Sequence, residues 1–188
     1  MKEIEILVEV LDDVENVLKA LDKFQCEGDK ETIDVYYYDP LRDTLKPNSA
    51  GEINECLRVR TKNDLAYITY KVDKFDDNGK WLYSDEYETT IGDLVMLNKI
   101  IERLGLVPLL TIHNKKKTYV TDKYEIVLED VKDLGHFLEV EFCTNEDVDV
   151  KKVKEDIQEF IDSLGIKVSE ELNMGKPEMM IKRKKIAV

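Results

Sequence analysis

Charged side chains stand at every second position inside aliphatic runs of this chain. Glu3 and Glu5 do so in "EIE", Arg58 and Arg60 in "RVR", Glu86 and Glu88 in "EYE", and Glu139 and Glu141 in "EVE". Successive residues of a β-strand point to opposite sides of the sheet, so each run has one apolar face and one charged face. The apolar faces carry Ile4, Ile6, Leu57, Val59, Leu138, Val140 and Phe142. For one strand, water on the charged side is the ordinary solution. Several such runs in one chain, with acids on some and arginines on others, fit a sheet curled shut around a charged interior. In the first run the charged series Glu3, Glu5 breaks at Leu7 before resuming at Glu9.

Strand-like alternation covers 3–10, 33–38, 55–61, 66–73, 81–91, 111–120, 123–130 and 137–143. Short polar connections such as "TKND", "DDNG" and "VTDK" join several of these as hairpins. Three stretches switch to helical spacing: Val14, Val17, Leu18, Leu21 and Phe24; Leu94, Leu97, Ile101 and Leu104; and Val150, Val153, Ile157, Ile161 and Leu164. The second and third stop at Gly105 and Gly165, the residue type that best closes a helix. The predicted fold class is α+β: an eight-stranded antiparallel, closed or nearly closed β-barrel with helices packed on the outside.

A single domain over 1–175 is predicted, followed by a basic tail at 176–188 read from its Lys-Arg-Lys-Lys run as poorly ordered. The turn-rich stretch 39–52 reads as a long loop on the rim. A net charge of −13, from 41 acidic and 28 basic side chains, argues against a nucleic-acid partner, whose phosphates need a basic face. Cys26, Cys56 and Cys143 have no metal-type spacing and suit free thiols in a reducing compartment. With an acidic start and no membrane-spanning apolar run, a cytoplasmic protein without a membrane partner is expected.

The charged interior needs internal pairing, water or a guest, because an unpaired buried ion costs several kcal/mol. A polyanion accompanied by a divalent cation suits it, since arginine forks and lysines grip phosphate while carboxylate clusters hold hard cations. Other chemistries lack residues: there is no GxxxxGK[ST] or GxGxxG, and His113 and His136 are the only histidines.

The ordered series "EIE", "IDVYYYD", "LRVR", "TYK", "DEYE", "ERLG", "KKKTY" and "LEDVKDLGHFLEVE" resembles the CYTH superfamily over about 3–172. That superfamily comprises class IV adenylyl cyclases, thiamine triphosphatases and related tripolyphosphatases, and the long loop before "NECLRVR" is most similar to the cyclase branch. The resemblance implies a triphosphate tunnel, Mg²⁺ or Mn²⁺ as cofactor, and a triphosphate-containing small molecule such as ATP as partner. It implies a cyclase or triphosphatase activity, or a catalytically impaired relative that binds a phosphorylated metabolite, and a homodimer is compatible with it. Carried across, Glu3, Glu5, Glu139, Glu141 and Glu129 become metal-side carboxylates, and Glu86 and Glu88 tunnel acids. Arg58, Arg60, Lys71 and Lys116 become phosphate ligands, with Lys115 and Lys117 taking that role in a shifted register. The chain departs from the family pattern at Leu7, where lysine is usual, at Ser84 and Asn114, where cations are usual, and at Glu129 and Glu170. The resemblance therefore implies an acidic half that is complete and a basic half that is eroded, with Leu7→Lys strengthening triphosphate binding.

Overall fold

The computed structural model describes residues 1–186. Its strands are β1 (Lys2–Glu9), β2 (Gln25–Tyr38), β3 (Glu55–Lys62), β4 (Leu65–Phe75), β5 (Trp81–Ile91), β6 (Val107–Val120), β7 (Glu125–Val131) and β8 (Gly135–Thr144). They close into one barrel in the order β1-β5-β4-β3-β2-β6-β7-β8, every neighbouring pair antiparallel. The helices are α1 (Val14–Leu21), α2 (Leu94–Arg103), α3 (Val150–Ser163) and α4 (Lys176–Lys184). The predicted α+β closed barrel with external helices is therefore present. No described helix is long and apolar enough to cross a membrane.

The alternation read from the sequence sorts side chains into two separate cores. Outward-facing Ile4, Ile6, Val8, Ile126, Leu138 and Val140 pack under Val17 and Leu21 of α1 and Val153, Ile157 and Ile161 of α3. Each fully covered aliphatic side chain there contributes about 1.5–3 kcal/mol. Asp149 caps α3 by accepting from the N–H groups of Lys151 and Lys152, and Asp93 caps α2 by accepting from Met96. Asp13 begins α1 without a side-chain cap bond, because Asp12 instead takes the Asp13 N–H and the Asn16 amide.

The second core lies inside the barrel. Leu7, Tyr36, Ile112, Val131 and Phe137 continue the inward-facing rows beyond the charged residues, and Ile53 from the preceding loop joins them. Met180 and Ile181 of α4 pack onto this floor. The segment expected to be a solvated tail is thus a helix from 176 to 184, and that expectation is corrected; residues 187–188 of the tail lie outside the described residues. Apolar burial of Met180 and Ile181 outweighs the Lys-Arg-Lys-Lys run, which lies along the helix's solvent side and C-terminal turn, where cations complement the helix dipole.

Candidate functional site

The inward rows above the apolar floor enclose a cavity of about 610 Å³. Ten carboxylates and seven cationic side chains line it, drawn from all eight strands and the start of α4. Glu3, Glu5, Arg58, Arg60, Glu86, Glu88, Glu139 and Glu141, which share the charged faces of their strands, all face it, and so do Lys71 and Lys116. Glu129 is fully buried behind this lining.

Glu3, Glu5 and Glu141 each offer a carboxylate oxygen, and the three oxygens lie within 4.8 Å of one another. Register explains the convergence: Glu5 and Glu141 are direct partners across β1 and β8, with Glu3 two residues along on the same face. Burial, then the neighbouring Glu139 charge, raises the Glu5 and Glu141 carboxyls well above their ordinary range. Three hard oxygen donors crowded into one electronegative corner fit a divalent cation such as Mg²⁺ or Mn²⁺.

Beside this corner the charges are interleaved. Lys71 Nζ lies 2.5 Å from Glu3 and 3.3 Å from Glu86. Burial pushes the Glu3 carboxyl up, but the Lys71 ammonium and a hydrogen bond with Glu86 outweigh it and hold Glu3 at about 2. Glu86 goes the other way, to about 7, through burial and that same contact with Glu3. Arg58 donates from Nη2 to Thr69 Oγ1 at 3.1 Å and Glu88 at 3.4 Å, and Arg60 grips Asp34 with two 2.7 Å bonds. Despite burial, that fork holds Asp34 at about 2.

Of the expected metal-side acids, the structure brings Glu3, Glu5 and Glu141 together, whereas Glu139 and Glu129 serve mainly as counter-ions. Lys116 lies 2.5 Å from Glu129, so the unshifted register of the "NKKK" strand faces inward. Lys115 and Lys117 instead reach toward Glu31 and Asp29 on the outer side. Lys176, the first residue of α4, lies 2.6 Å from Glu129 and also pairs with Glu139. Burial alone would lower its pKa, but the two glutamates raise it.

Sequence reasoning missed several lining residues, Lys30, Asp34, Lys62 and Lys176 among them, and the position of Lys176 explains Leu7. Leu7 is the direct register partner of Glu139 across β1 and β8, so a lysine at position 7 would neighbour that carboxylate. Here the ammonium comes from α4 instead, and Leu7 is part of the floor. The sequence held a signal for this arrangement in "GKPE". Proline suits the first turn of a helix, and Glu178 accepts from the Gly175 N–H at 2.7 Å and the Ile53 N–H at 2.9 Å, fixing α4 to the barrel rim.

These shifts set a pH dependence. Glu5, Glu86 and Glu141 retain protons in the barrel that the unfolded chain releases near 4.5. Their contribution to stability is complete below that value and is lost as pH rises, through about 7 for Glu86. Glu3 and Asp34 contribute in the opposite sense, losing their stabilisation as pH falls toward about 2. In metal-free buffer Tm should therefore decline from pH 5 to pH 8, and Glu86→Gln should flatten the part of the decline around pH 7. A Tm that rises over that interval would contradict the assignment.

Comparison with known proteins places this geometry. A family model described as "CYTH domain" matches residues 1–172. The chain is 30% identical over 168 residues to a Methanocaldococcus jannaschii protein named "Putative adenylate cyclase MJ0240", covering 88% of this chain and 91% of that one. The PH1819 protein of Pyrococcus horikoshii has a similar structure, with a TM-score of 0.80 and 23% identity over 96% of this chain and 99% of that one. The Hippeastrum protein HpAC1, described with a dominant triphosphatase activity, aligns with a TM-score of 0.63 and 17% identity, covering 99% and 97% of the two chains.

Proposed function

The chain belongs to the CYTH domain family, and on that premise we propose that its barrel binds a nucleoside triphosphate or a similar triphosphate compound and catalyses phosphate-anhydride chemistry. One observation carries this reading: the carboxylate corner of Glu3, Glu5 and Glu141 adjoins Lys71 and Arg58 inside one closed lumen. Mg²⁺ or Mn²⁺ held by those three carboxylates would neutralise phosphate charge and polarise a phosphoryl oxygen.

The chain's own groups do the remaining work. Arg58, Arg60, Lys71, Lys116 and Lys176 line one cavity and present donors to a row of phosphate oxygens. Each of these five already has a carboxylate partner, so a polyphosphate enters by replacing carboxylates as their acceptors. Glu86, poised at about 7, can hold or release a proton at its carboxyl near neutral pH. The floor of Leu7, Tyr36, Ile112 and Phe137 keeps water from the buried end. An adenylyl cyclase and a triphosphatase would both use this cradle; the name of the M. jannaschii protein supports the first, and that of the Hippeastrum structural neighbour carries both, a "Putative adenylyl cyclase" with a dominant triphosphatase activity.

The test is incubation with ATP, thiamine triphosphate or tripolyphosphate and Mg²⁺ or Mn²⁺, measuring cyclic AMP, pyrophosphate and orthophosphate. Glu141→Gln should lower turnover by about 10²-fold or more, the scale on which removing a transition-state electrostatic contact acts. The cation alone should raise Tm more at pH 8 than at pH 5, because it competes with the protons on Glu5 and Glu141. Ligand-induced stabilisation without any turnover would instead favour the binding-module reading. Neither turnover nor a Tm shift with any triphosphate would refute both.

A further inference from the structure

Five of the seven cationic side chains that line the cavity pair with carboxylates, and two do not. Among the described residues Lys30 and Lys62 meet no carboxylate; Lys30 Nζ lies instead 3.4 Å from Thr118 Oγ1. Their place in the barrel also sets them apart. Lys30 is six residues from Tyr36 along β2 and Lys62 six from Cys56 along β3, and Tyr36 and Cys56 both belong to the floor. Six residues of strand span about 20 Å, so the two lysines stand at the end of the lumen opposite the floor. Lys62 is the last residue of β3, at the rim where the chain turns into β4.

The charge there is unbalanced. Lys30 is the direct register partner of Lys116 across β2 and β6, and Lys62 that of Thr32 across β2 and β3, two residues from Lys30 on the same face. Like charges placed opposite one another destabilise a sheet. Glu129 neutralises Lys116 and Asp34 neutralises Arg60, but no such partner serves Lys30 or Lys62. Burial, then the Lys30 and Arg60 charges, lowers the pKa of the Lys62 ammonium. Glu125 of β7 also lines the cavity and pairs with neither lysine.

An incoming polyanion meets a chain of net charge −13 and a lumen with more carboxylates than cations. The five deeper cations must exchange a carboxylate before they can grip phosphate, whereas Lys30 and Lys62 have none to exchange. Lysine, a flexible and strongly hydrated point charge, suits first contact; the planar forks of Arg58 and Arg60 suit fixed geometry. We propose that Lys30 and Lys62 form a capture site at the rim, which takes a phosphate group of the ligand from solvent and passes it to the paired cations deeper in the lumen. This rests on the triphosphate reading of the barrel and adds an order of binding to it. Rim charge sets the rate of entry, and the inner cradle sets the residence time.

Trp81, the single tryptophan, lines the cavity, so stopped-flow fluorescence can follow tripolyphosphate and ATP entering with Mg²⁺. The proteins compared are the wild type, Lys30→Gln, Lys62→Gln, the double variant, and Lys115→Gln. Lys115 reaches toward Glu31 on the outer side, so its loss changes net charge equally without touching the rim. At low ionic strength the double variant should associate about tenfold more slowly with both ligands, within the range by which charged clefts raise on-rates. The deficit should shrink as salt rises, dissociation should not accelerate, and Lys115→Gln should match the wild type. The Tm of the ligand-free double variant should equal or exceed that of the wild type, because Lys116 loses a facing like charge. Should Trp81 stay silent, calorimetry reads the same effect as a tenfold rise in Kd that fades with salt. Unchanged association, an equal slowing by Lys115→Gln, or faster dissociation at an unchanged association rate would overturn the capture site and leave the triphosphate reading standing. Failure of the wild type to bind either ligand would overturn both.

Discussion

Lys176→Met should destabilise the protein by about 3–5 kcal/mol, the usual result of removing one member of a buried ion pair and stranding the other. The stranded groups are Glu139, left without its adjacent ammonium, and Glu129, left with Lys116 alone. For a domain of this size the loss corresponds to a fall in Tm of roughly 10 °C. Thermal or urea unfolding at pH 7 measures it. A variant as stable as the wild type would mean that Glu139 does not depend on α4 for its charge balance.

Leu7→Lys has the second large effect, and its direction reverses the expectation drawn from family resemblance. Leu7 is 1% exposed and packs with Phe137, Met180 and Ile181. A lysine there would put a second ammonium near Lys176 and displace apolar packing, at a cost of roughly 3 kcal/mol or more. Triphosphate affinity should fall with it, because the helix carrying Lys176 would be pushed from its seat. Combining Leu7→Lys with Lys176→Met returns one ammonium to the neighbourhood of Glu139. The double variant should be more stable than the sum of the single losses predicts, by about 1–3 kcal/mol. Strict additivity would show that positions 7 and 176 serve unrelated roles.

The barrel itself was legible in the sequence because its two faces differ so sharply. Alternation in "EIEI", "LRVR" and "LEVEF" identified which side chains face the lumen, and the structure places them there. Register within a closed sheet then fixed neighbours that spacing alone could not, such as Glu5 beside Glu141. Strand ends were less legible. β2 begins at Gln25, well before the predicted 33, because "QCEGDKET" is polar on both faces and is held mainly by its ladder to β6. The same limit hid α4. Its partners Glu129, Glu139 and Ile53 are distant in sequence, and a run of lysines and arginine masks a short apolar stripe. A missing cation at Leu7 was visible; its replacement on another element was a matter of three-dimensional proximity.

The way β1 closes the barrel also has a consequence for biosynthesis. Its ladder partners in β8 follow roughly 130–140 residues later, and its contacts with β5 about 80 residues later. At a translation rate of about 5–20 residues per second, an aliphatic strand with open edges waits several to tens of seconds for its partner. Such long-range closure also makes folding slow even after release. The alternating glutamates of β1 then act as gatekeepers on the nascent chain, their mutual repulsion discouraging β1 segments on neighbouring ribosomes from pairing with one another.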